Sequence, residues 1–407
     1  MAKLIKIPMV IKTFGNSMYP LLLDGDVLYL KKIKFSKIRV NDLITVRNKN
    51  NYFTHRVIYK GKNYLITRGD NNPLIDGMIY AKNIVGIVEK VKRQGNIFNP
   101  EQIYLLQSSL YFAEIVKIKN ILEENKIEHV FLKGLPLHLY FEKTHPRRLY
   151  ADCDILISKL HYSKAISILK HMGFKRGGGQ KSIILSKDKK TLLNDIGEIT
   201  YYKFIKGFPI FLDIHLETVF ITVNTGNRKY LYPNQLIENF TDKLLREKKQ
   251  VKIQNELFPI LSNENLLIYL CLHIFHHNLL GIYRYELVSK VIEKNNINYD
   301  SVLKTVNHYK LNNFIYPIML LLIKYYGSRL PRSFMKSIKP GALNDYIIKR
   351  IFLKTGIFDN KEEKGSGKRF MKIFLLSPTP LYRRTLIFAN PFVIKKVVEG
   401  LYLNYIK

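Results

Sequence analysis

The 407-residue chain contains little cysteine and no apolar run long enough to cross a bilayer. Cys153 and Cys271 are too few and too far apart for a disulfide framework or a zinc cluster, so we expect two reduced, buried thiols. The longest strongly apolar run, FIYPIMLLLI at 314–323, is about half of the 20 residues that a membrane-spanning helix needs, and it contains Pro317. We therefore predict no transmembrane helix.

The first residues, MAKLIKIPMVIKTFG, also lack the pattern of a secretory signal. Lysines interrupt a short apolar stretch, and no small-residue cleavage site follows it. We therefore expect a cytoplasmic protein, with a peripheral contact to a membrane surface as an alternative.

Acidic side chains are scarce: 32 stand against 66 basic ones, and the formal net charge is +34. This surplus favours anionic partners such as nucleotides, nucleic acid or a membrane surface. The alternative is a solvated basic surface that reflects a lysine-rich composition. Hydrophobic residues make up 47% of the chain, which is typical of folded proteins, and the length predicts more than one domain.

The patterning predicts a multidomain α+β protein. Short alternating runs punctuated by Gly, Asn and Asp predict a small all-β domain over 1–95. Strands interleaved with helices predict a mixed-sheet core over 100–260, and a mostly helical region follows over 261–407. The strands predicted in the core are IEHVFLKG, CDILIS, SIILSK, EITYYKFI and FPIFLDIHLE.

The β-rich region carries a first candidate catalytic set. Ser17 lies in GNSMYP, His55 in THRV, and Asp70 and Asp76 in RGDNNPLID. A serine hydroxyl attacks a carbonyl when a nearby base takes its proton and donors stabilise the oxyanion. His55 suits the base, and Asp70 or Asp76 would orient its second nitrogen. The alternative for Ser17 alone is an ordinary turn residue.

The order of these motifs resembles the catalytic core of signal peptidase I, in the form that uses histidine as the base. The stretches GNSMYP, DGDVLYL, DLITV, THRVI, TRGDNN and VGIVEKV carry the resemblance over roughly 11–92. It implies that Ser17 is the nucleophile, His55 the base, and Asp70 or Asp76 the acid. Gly15 departs from the serine usual two residues before the nucleophile, and the usual membrane anchor is not seen. The GxSM form is also similar to LexA-like self-cleaving peptidases, which use a lysine base.

A second candidate set consists of carboxylates. Asp152 and Asp154, two residues apart on a predicted strand, project from the same face, and Asp213 follows in FLDIHLE. Such a pair suits a divalent cation that also binds phosphate oxygens. The alternative, an exposed strand edge, is weakened by the apolar residues that follow the pair. Gly134 permits close approach of a phosphate, and Lys133 and Arg148 offer positive charge.

These residues resemble the nucleotidyltransferase superfamily. The pattern is that of a bacterial family with LKG, then RxxxDxD, then a strand ending in DxH, over about 100–300. The resemblance implies that Asp152, Asp154 and Asp213 hold Mg²⁺ or Mn²⁺ and that the substrate is a nucleoside triphosphate bound near Lys133, Gly134 and Arg148. His273, His276 and His277 share a helical face and are either structural or substrate-lining.

Three functional hypotheses follow. The first is a bifunctional protein that combines a serine–histidine peptidase with a metal-dependent nucleotidyltransferase, both acting on a common peptide or protein. In the second, the N-terminal domain only binds an extended peptide by strand addition, and the transferase is the sole activity. The third is a basic nucleic-acid-binding regulator, for which no base-reading motif is visible.

Overall fold

The computed structural model describes residues 9–389 except 50, 73, 151–152, 178–197, 219–229, 355–356 and 359–365, together with 391 and 394. The chain divides into two compact units. The first comprises Met1–Tyr111 with Thr144–Tyr150, and the second comprises Phe112–Lys143 with Ala151–Lys407. The boundary falls inside helix α1 (Pro100–Glu124).

The described part of the first unit is built on one antiparallel sheet. Its strands lie in the order β1-β2-β7-β3-β4-β5-β6, and β8 pairs with β7. Buried and more exposed residues alternate along β2, where Leu28 and Leu30 are buried, as in a sheet with one face on a core. The bounds are β1 (Met9–Lys12), β2 (Val27–Lys31), β3 (Leu43–Asn48), β4 (Asn51–Lys60), β5 (Tyr64–Arg68), β6 (Ile75–Tyr80), β7 (Ile84–Arg93) and β8 (Asn96–Phe98).

A buried cluster fastens the loop between β1 and β2 to this sheet. Met18, Leu21 and Leu22 of the loop pack with Leu28 and Val91 of the strands. Burying side chains of this size stabilises the packed state by about 1.5–3 kcal/mol each. The loop is therefore held by its own apolar residues.

The second unit contains a mixed sheet in the order β11-β12-β13-β10-β9-β15-β14. The pairs β10 with β13 and β15 with β9 are parallel, and the other pairs are antiparallel. All side chains of β10 are buried, as expected of a strand covered on both faces. The bounds are β9 (His129–Gly134), β10 (Cys153–Ile157), β11 (Lys175–Arg176), β12 (Glu198–Ile205), β13 (Phe208–His215), β14 (Lys248–Ile253) and β15 (Glu256–Leu261).

Helices follow the sheet and make up most of the described C-terminal region. Helix α5 begins after Ser262, whose hydroxyl accepts the Asn265 amide, and it is buried along nearly its whole length. Within the described residues, no helix combines the length and hydropathy needed to span a membrane. The bounds are α2 (Leu135–Glu142), α3 (Tyr162–His171), α4 (Asn234–Arg246), α5 (Asn263–His276), α6 (Ile282–Lys294), α7 (Tyr299–His308), α8 (Asn312–Tyr326), α9 (Arg332–Ser337), α10 (Ala342–Ile347), α11 (Ser366–Leu376) and α12 (Leu381–Thr385).

The predicted multidomain α+β fold is confirmed, because an antiparallel sheet is followed by a mixed sheet and then by helices. The strand predicted at SIILSK lies outside the described residues. The predicted domain boundaries of 1–95, 100–260 and 261–407 stay predictions. Cys153 and Cys271 are buried thiols.

The core of the second unit contains a histidine that links stability to pH. His129 is buried, its Nδ1–H donates to the Ile127 carbonyl at 2.9 Å, and burial lowers its pKa to about 4. The unfolded chain, with a pKa near 6.5, takes up the proton first, so stability falls as pH drops from 6.5 towards 4.

We expect His129→Leu to remove this loss. Between pH 7 and pH 5 the free energy of unfolding should fall by about 2 kcal/mol less in the variant than in the wild type. Urea titrations at both pH values measure the difference, with the exposed His308→Leu as the matched control. Equal losses in wild type and His129→Leu would contradict the expectation.

Candidate active sites

The loop that carries Ser17 is held in shape by two aspartates. Asp24 accepts the Gly15 amide at 2.8 Å. Asp26 is buried, accepts the Leu23 amide at 2.8 Å, and pairs with Arg93 of β7 at 2.7 Å. Breaking a buried pair of this kind by removing one partner is costly, so the pair anchors the loop to the sheet.

Ser17, His55 and Asp76 form a continuous hydrogen-bonded chain. The Ser17 hydroxyl lies 2.9 Å from His55 Nε2, and His55 Nδ1 lies 2.6 Å from Asp76 Oδ2. Thr67 of the intervening strand β5 donates to the same aspartate oxygen at 2.7 Å. Asp76 thereby orients the imidazole so that Nε2 faces the hydroxyl and can accept its proton.

Asp70 lies in a different interaction. Both of its oxygens accept from the guanidinium of Arg56, at 2.6 and 2.5 Å. Arg56 is only 2% exposed and also donates to the carbonyls of Asn41 and Arg147 at 3.1 and 3.0 Å. Of the two predicted candidates, the structure therefore brings Asp76 to His55, whereas Asp70 joins Arg56.

Gly69 is a site residue that the sequence pattern did not single out. A Cβ atom built on it would lie 2.5 Å from the Ser17 carbonyl oxygen and 3.1 Å from His55 Nε2. The next residues add contacts, since the Asn71 amide donates to the Ser17 carbonyl at 2.8 Å. The absent side chain is thus what lets the serine loop approach the turn after β5. The glycine in TRGDNN is the sequence feature that could have indicated this close approach.

The central strands of the second unit bring together the second set. Asp154 of β10 pairs in register with Asp213 of β13 on one side and Lys133 of β9 on the other. Thr200 of β12 lies opposite Asp213. Residues in register on neighbouring strands share a face, so the four side chains form one row across the sheet.

Hydrogen bonds within this row compensate a deeply buried charge. Asp154 is 1% exposed; its Oδ2 accepts from Lys133 Nζ at 2.6 Å and its Oδ1 from His215 Nε2 at 2.8 Å. Thr200 donates to Asp213 at 2.6 Å. Burial alone would raise the pKa of Asp154, but the Lys133 charge and the His215 hydrogen bond hold this pKa below its ordinary value.

His215 is the partner of this charge. Burial alone would lower its pKa, but the charges of Glu198 and Asp154 raise it above the ordinary value. The imidazole therefore holds a proton more firmly than a free histidine does. The DxH motif at the end of β13 thus supplies a carboxylate for the row and a donor that orients Asp154.

The remaining predicted residues are placed as follows. Gly134 ends β9 with a φ angle of 97°, a conformation that suits glycine. It is in register with Cys153 of β10. Arg148 belongs to the first unit, where its guanidinium lies 4.3 Å from the ring centre of Tyr150. Asp152 lies outside the described residues.

The donor chemistry of the row fits a divalent cation. Asp154 and Asp213 are carboxylates in register on adjacent parallel strands, and such oxygens are the ligands that Mg²⁺ and Mn²⁺ prefer. Asp154 already attracts a cation, the Lys133 ammonium. Across the part of the chain that the structure describes, no three His, Cys, Asp or Glu side chains converge as a complete metal site. The third predicted ligand, Asp152, is not among those residues.

The charges of this row act on two side chains of helix α5, Tyr269 and His273. Tyr269 stacks on His273 with ring centres 6.2 Å apart. Burial first, then the Lys133 charge, lowers the pKa of His273, while burial and the Asp154 charge raise the pKa of Tyr269. The Tyr269 hydroxyl is buried and has no hydrogen-bond partner among the described residues. Tyr269 carries no chemical signal in the sequence, although it precedes His273 by one helical turn.

The described row thus contains two carboxylates beside a lysine on a mixed sheet. The family described as "Uncharacterised nucleotidyltransferase" matches residues 98–327 of this chain. The chain belongs to this family, and the resemblance predicted from LKG, RxxxDxD and DxH is confirmed.

The N-terminal region has a different relative. The chain is 32% identical over 114 residues to the signal peptidase complex catalytic subunit SEC11 of Clavispora lusitaniae (strain ATCC 42720). The match covers 25% of this chain and 68% of that protein. The predicted resemblance to signal peptidases is thereby confirmed, and the N-terminal region is related to that family.

We predict that Gly69→Ala separates Ser17 from His55, because the new methyl group would occupy the space of the Ser17 carbonyl. Labelling of Ser17 by a fluorophosphonate should slow about tenfold or more, as expected when a reacting group is displaced by a fraction of an ångström. Intact-protein mass spectrometry measures the rate. Gly341→Ala is the control, because its Cβ would meet open space. Labelling of Gly69→Ala at the wild-type rate would contradict the predicted clash.

Proposed function

We propose that the second unit is a divalent-metal-dependent nucleotidyltransferase that uses a nucleoside triphosphate. The observation that carries this proposal is the register pair of Asp154 and Asp213 on parallel strands of a chain from a nucleotidyltransferase family. Asp152, two residues before Asp154 in the sequence, is the third proposed carboxylate. A bound Mg²⁺ or Mn²⁺ would neutralise the triphosphate and lower the pKa of the acceptor hydroxyl.

The protein's own residues would bind and orient the substrate around this centre. Lys133 supplies a positive charge for a phosphate, and the glycine conformation of Gly134 lets the backbone after β9 approach it closely. His215 keeps Asp154 in one orientation through its 2.8 Å hydrogen bond. A phosphate contact for Arg148 rests on the sequence resemblance alone.

We propose a second activity for the first unit, that of a serine endopeptidase of the signal peptidase type. The hydrogen bonds that link Ser17 to His55 and His55 to Asp76 support it. Ser17 Oγ would attack the scissile carbonyl while its proton passes to His55 Nε2. His55 would then protonate the leaving amine, and an activated water would release the acyl group from Ser17.

The oxyanion of this reaction needs a donor other than a serine at position 15. The Gly15 amide already donates to Asp24, so we propose the Ser17 backbone amide for this role. Losing one donor of an oxyanion hole typically costs about 10²-fold in rate or more. We therefore expect a slower peptidase than one that carries the additional serine.

The two activities would act on a common peptide or protein, one cutting it and the other attaching a nucleotidyl group. The presence of both sites in one chain supports this proposal. Because nucleoside triphosphates are cytoplasmic, we propose that the protein works there. Two alternatives remain: the first unit only binds an extended peptide, or the surplus of 34 positive charges serves nucleic-acid binding.

For the peptidase, Ser17→Ala should abolish labelling by a fluorophosphonate, and Asp76→Asn should slow it by about 10³-fold or more, because His55 loses its orienting carboxylate. Asp70→Asn is the matched control: it should lower thermal stability through Arg56 but retain most of the labelling. Equal effects of the two asparagine variants would contradict the assignment of Asp76. Failure of the wild type to react would favour the peptide-binding alternative.

For the transferase, incubation with Mg²⁺ and each labelled nucleoside triphosphate should transfer label to protein or RNA. Asp154→Asn and Asp213→Asn should each reduce transfer by about 10²-fold or more, because a ligand of the activating cation is lost. The exposed Asp300→Asn is the control. Undiminished transfer by Asp154→Asn would falsify the assignment.

A further inference from the structure

A lysine already holds the carboxylate that the proposed function assigns to a metal ion. Lys133 Nζ lies 2.6 Å from Asp154 Oδ2, and the lysine side chain is 15% exposed against 1% for the aspartate. The other oxygen of Asp154 accepts from His215. In the described structure, both oxygens of this buried carboxylate thus face a donor.

This arrangement follows from the cost of burying charge. An ionised carboxylate removed from water requires a partner of opposite charge, and Asp154 would be destabilising without one. The strand register meets the requirement, because Lys133 lies directly opposite Asp154 on β9. The Asp154–Lys133 pair is therefore a stable arrangement without any metal ion.

A divalent cation on Asp154 Oδ2 would come within a few ångströms of the lysine ammonium. Two positive charges at this distance in a buried site repel strongly. Lysine carries its charge on a flexible four-carbon stem, so the ammonium can move while the strand stays in place. His215 does not need to move, because it contacts the other oxygen.

We propose that Lys133 is the resident counter-ion of Asp154, that a divalent cation displaces it, and that the released ammonium then binds the phosphates of the incoming substrate. This inference rests on the proposed transferase function. Lys133 is thus a positioning residue that couples metal binding to triphosphate binding. Removing it should have opposite effects on the two ligands, which a merely structural lysine would not produce.

Lys133→Met tests the proposal with Mn²⁺ alone and with inorganic triphosphate as probes. The variant should bind Mn²⁺ about tenfold more tightly than the wild type, because the competing charge-assisted hydrogen bond is gone. In saturating Mn²⁺ it should bind triphosphate about tenfold more weakly, because the phosphates lose a cationic partner. Electron paramagnetic resonance of free Mn²⁺ and calorimetry measure the two affinities.

Lys203→Met is the matched control, since Lys203 pairs at 2.5 Å with the buried Glu114 of the same unit. It should leave both affinities unchanged. Suppose that the wild type binds Mn²⁺ and that Asp154→Asn does not. If Lys133→Met then binds Mn²⁺ no more tightly than the wild type does, this inference alone is overturned. Absence of Mn²⁺ binding by the wild type, with or without triphosphate, would overturn the proposed metal-dependent function as well.

A second measurement uses the wild-type protein and does not depend on the folding of any variant. Displacement by Mn²⁺ should expose the Lys133 amine and raise its rate of reductive methylation several-fold, and added triphosphate should protect it again. Peptide mass spectrometry follows Lys133 and Lys203 in the same sample. A Lys133 rate that does not respond to Mn²⁺ would contradict the displacement.

Discussion

The buried carboxylate of Asp154 is the constraint on which the second unit depends. At 1% exposure it needs charge compensation, and Lys133 and His215 supply it from strands on either side. A shift of one residue between β10 and either neighbour would turn these side chains to opposite faces. The same register that keeps the core stable therefore assembles the row of Asp154, Asp213 and Lys133.

Buried ion pairs have a comparable role in the first unit. Asp26 with Arg93 holds the serine loop against β7, and Asp70 with Arg56 holds the turn that follows β5. Ser17 lies within hydrogen-bond distance of His55, and the absence of a side chain on Gly69 leaves room for this approach. Neither aspartate belongs to the hydrogen-bonded series of Ser17, His55 and Asp76. Asp26 and Asp70 therefore have structural roles, whereas Asp76 contacts His55.

Much of the candidate chemistry was predictable from order and spacing. Ser17 and His55 are identifiable because a nucleophile and its base follow each other with characteristic neighbours. Asp154 is identifiable because an acidic residue at the start of an apolar strand is costly to bury without a partner. The choice between Asp70 and Asp76 was not predictable. Asp70 lies in the turn after β5 and Asp76 in the strand β6 that follows it. Which of them contacts His55 depends on how β5 pairs with β4 and β6. Tyr269 gave no chemical signal, since a helical tyrosine among leucines is usually packing.

The sequence by itself determined the α+β class, the two families and the residue types available for catalysis, because periodicity and ordered motifs are local properties of a chain. Only the tertiary structure decided which of those residues touch. The pairing of His55 with Asp76, the closeness of Gly69 to Ser17, and the lysine held against Asp154 all join residues distant in sequence. Such contacts follow from strand register and burial, and these are set by the whole fold and not by any single segment.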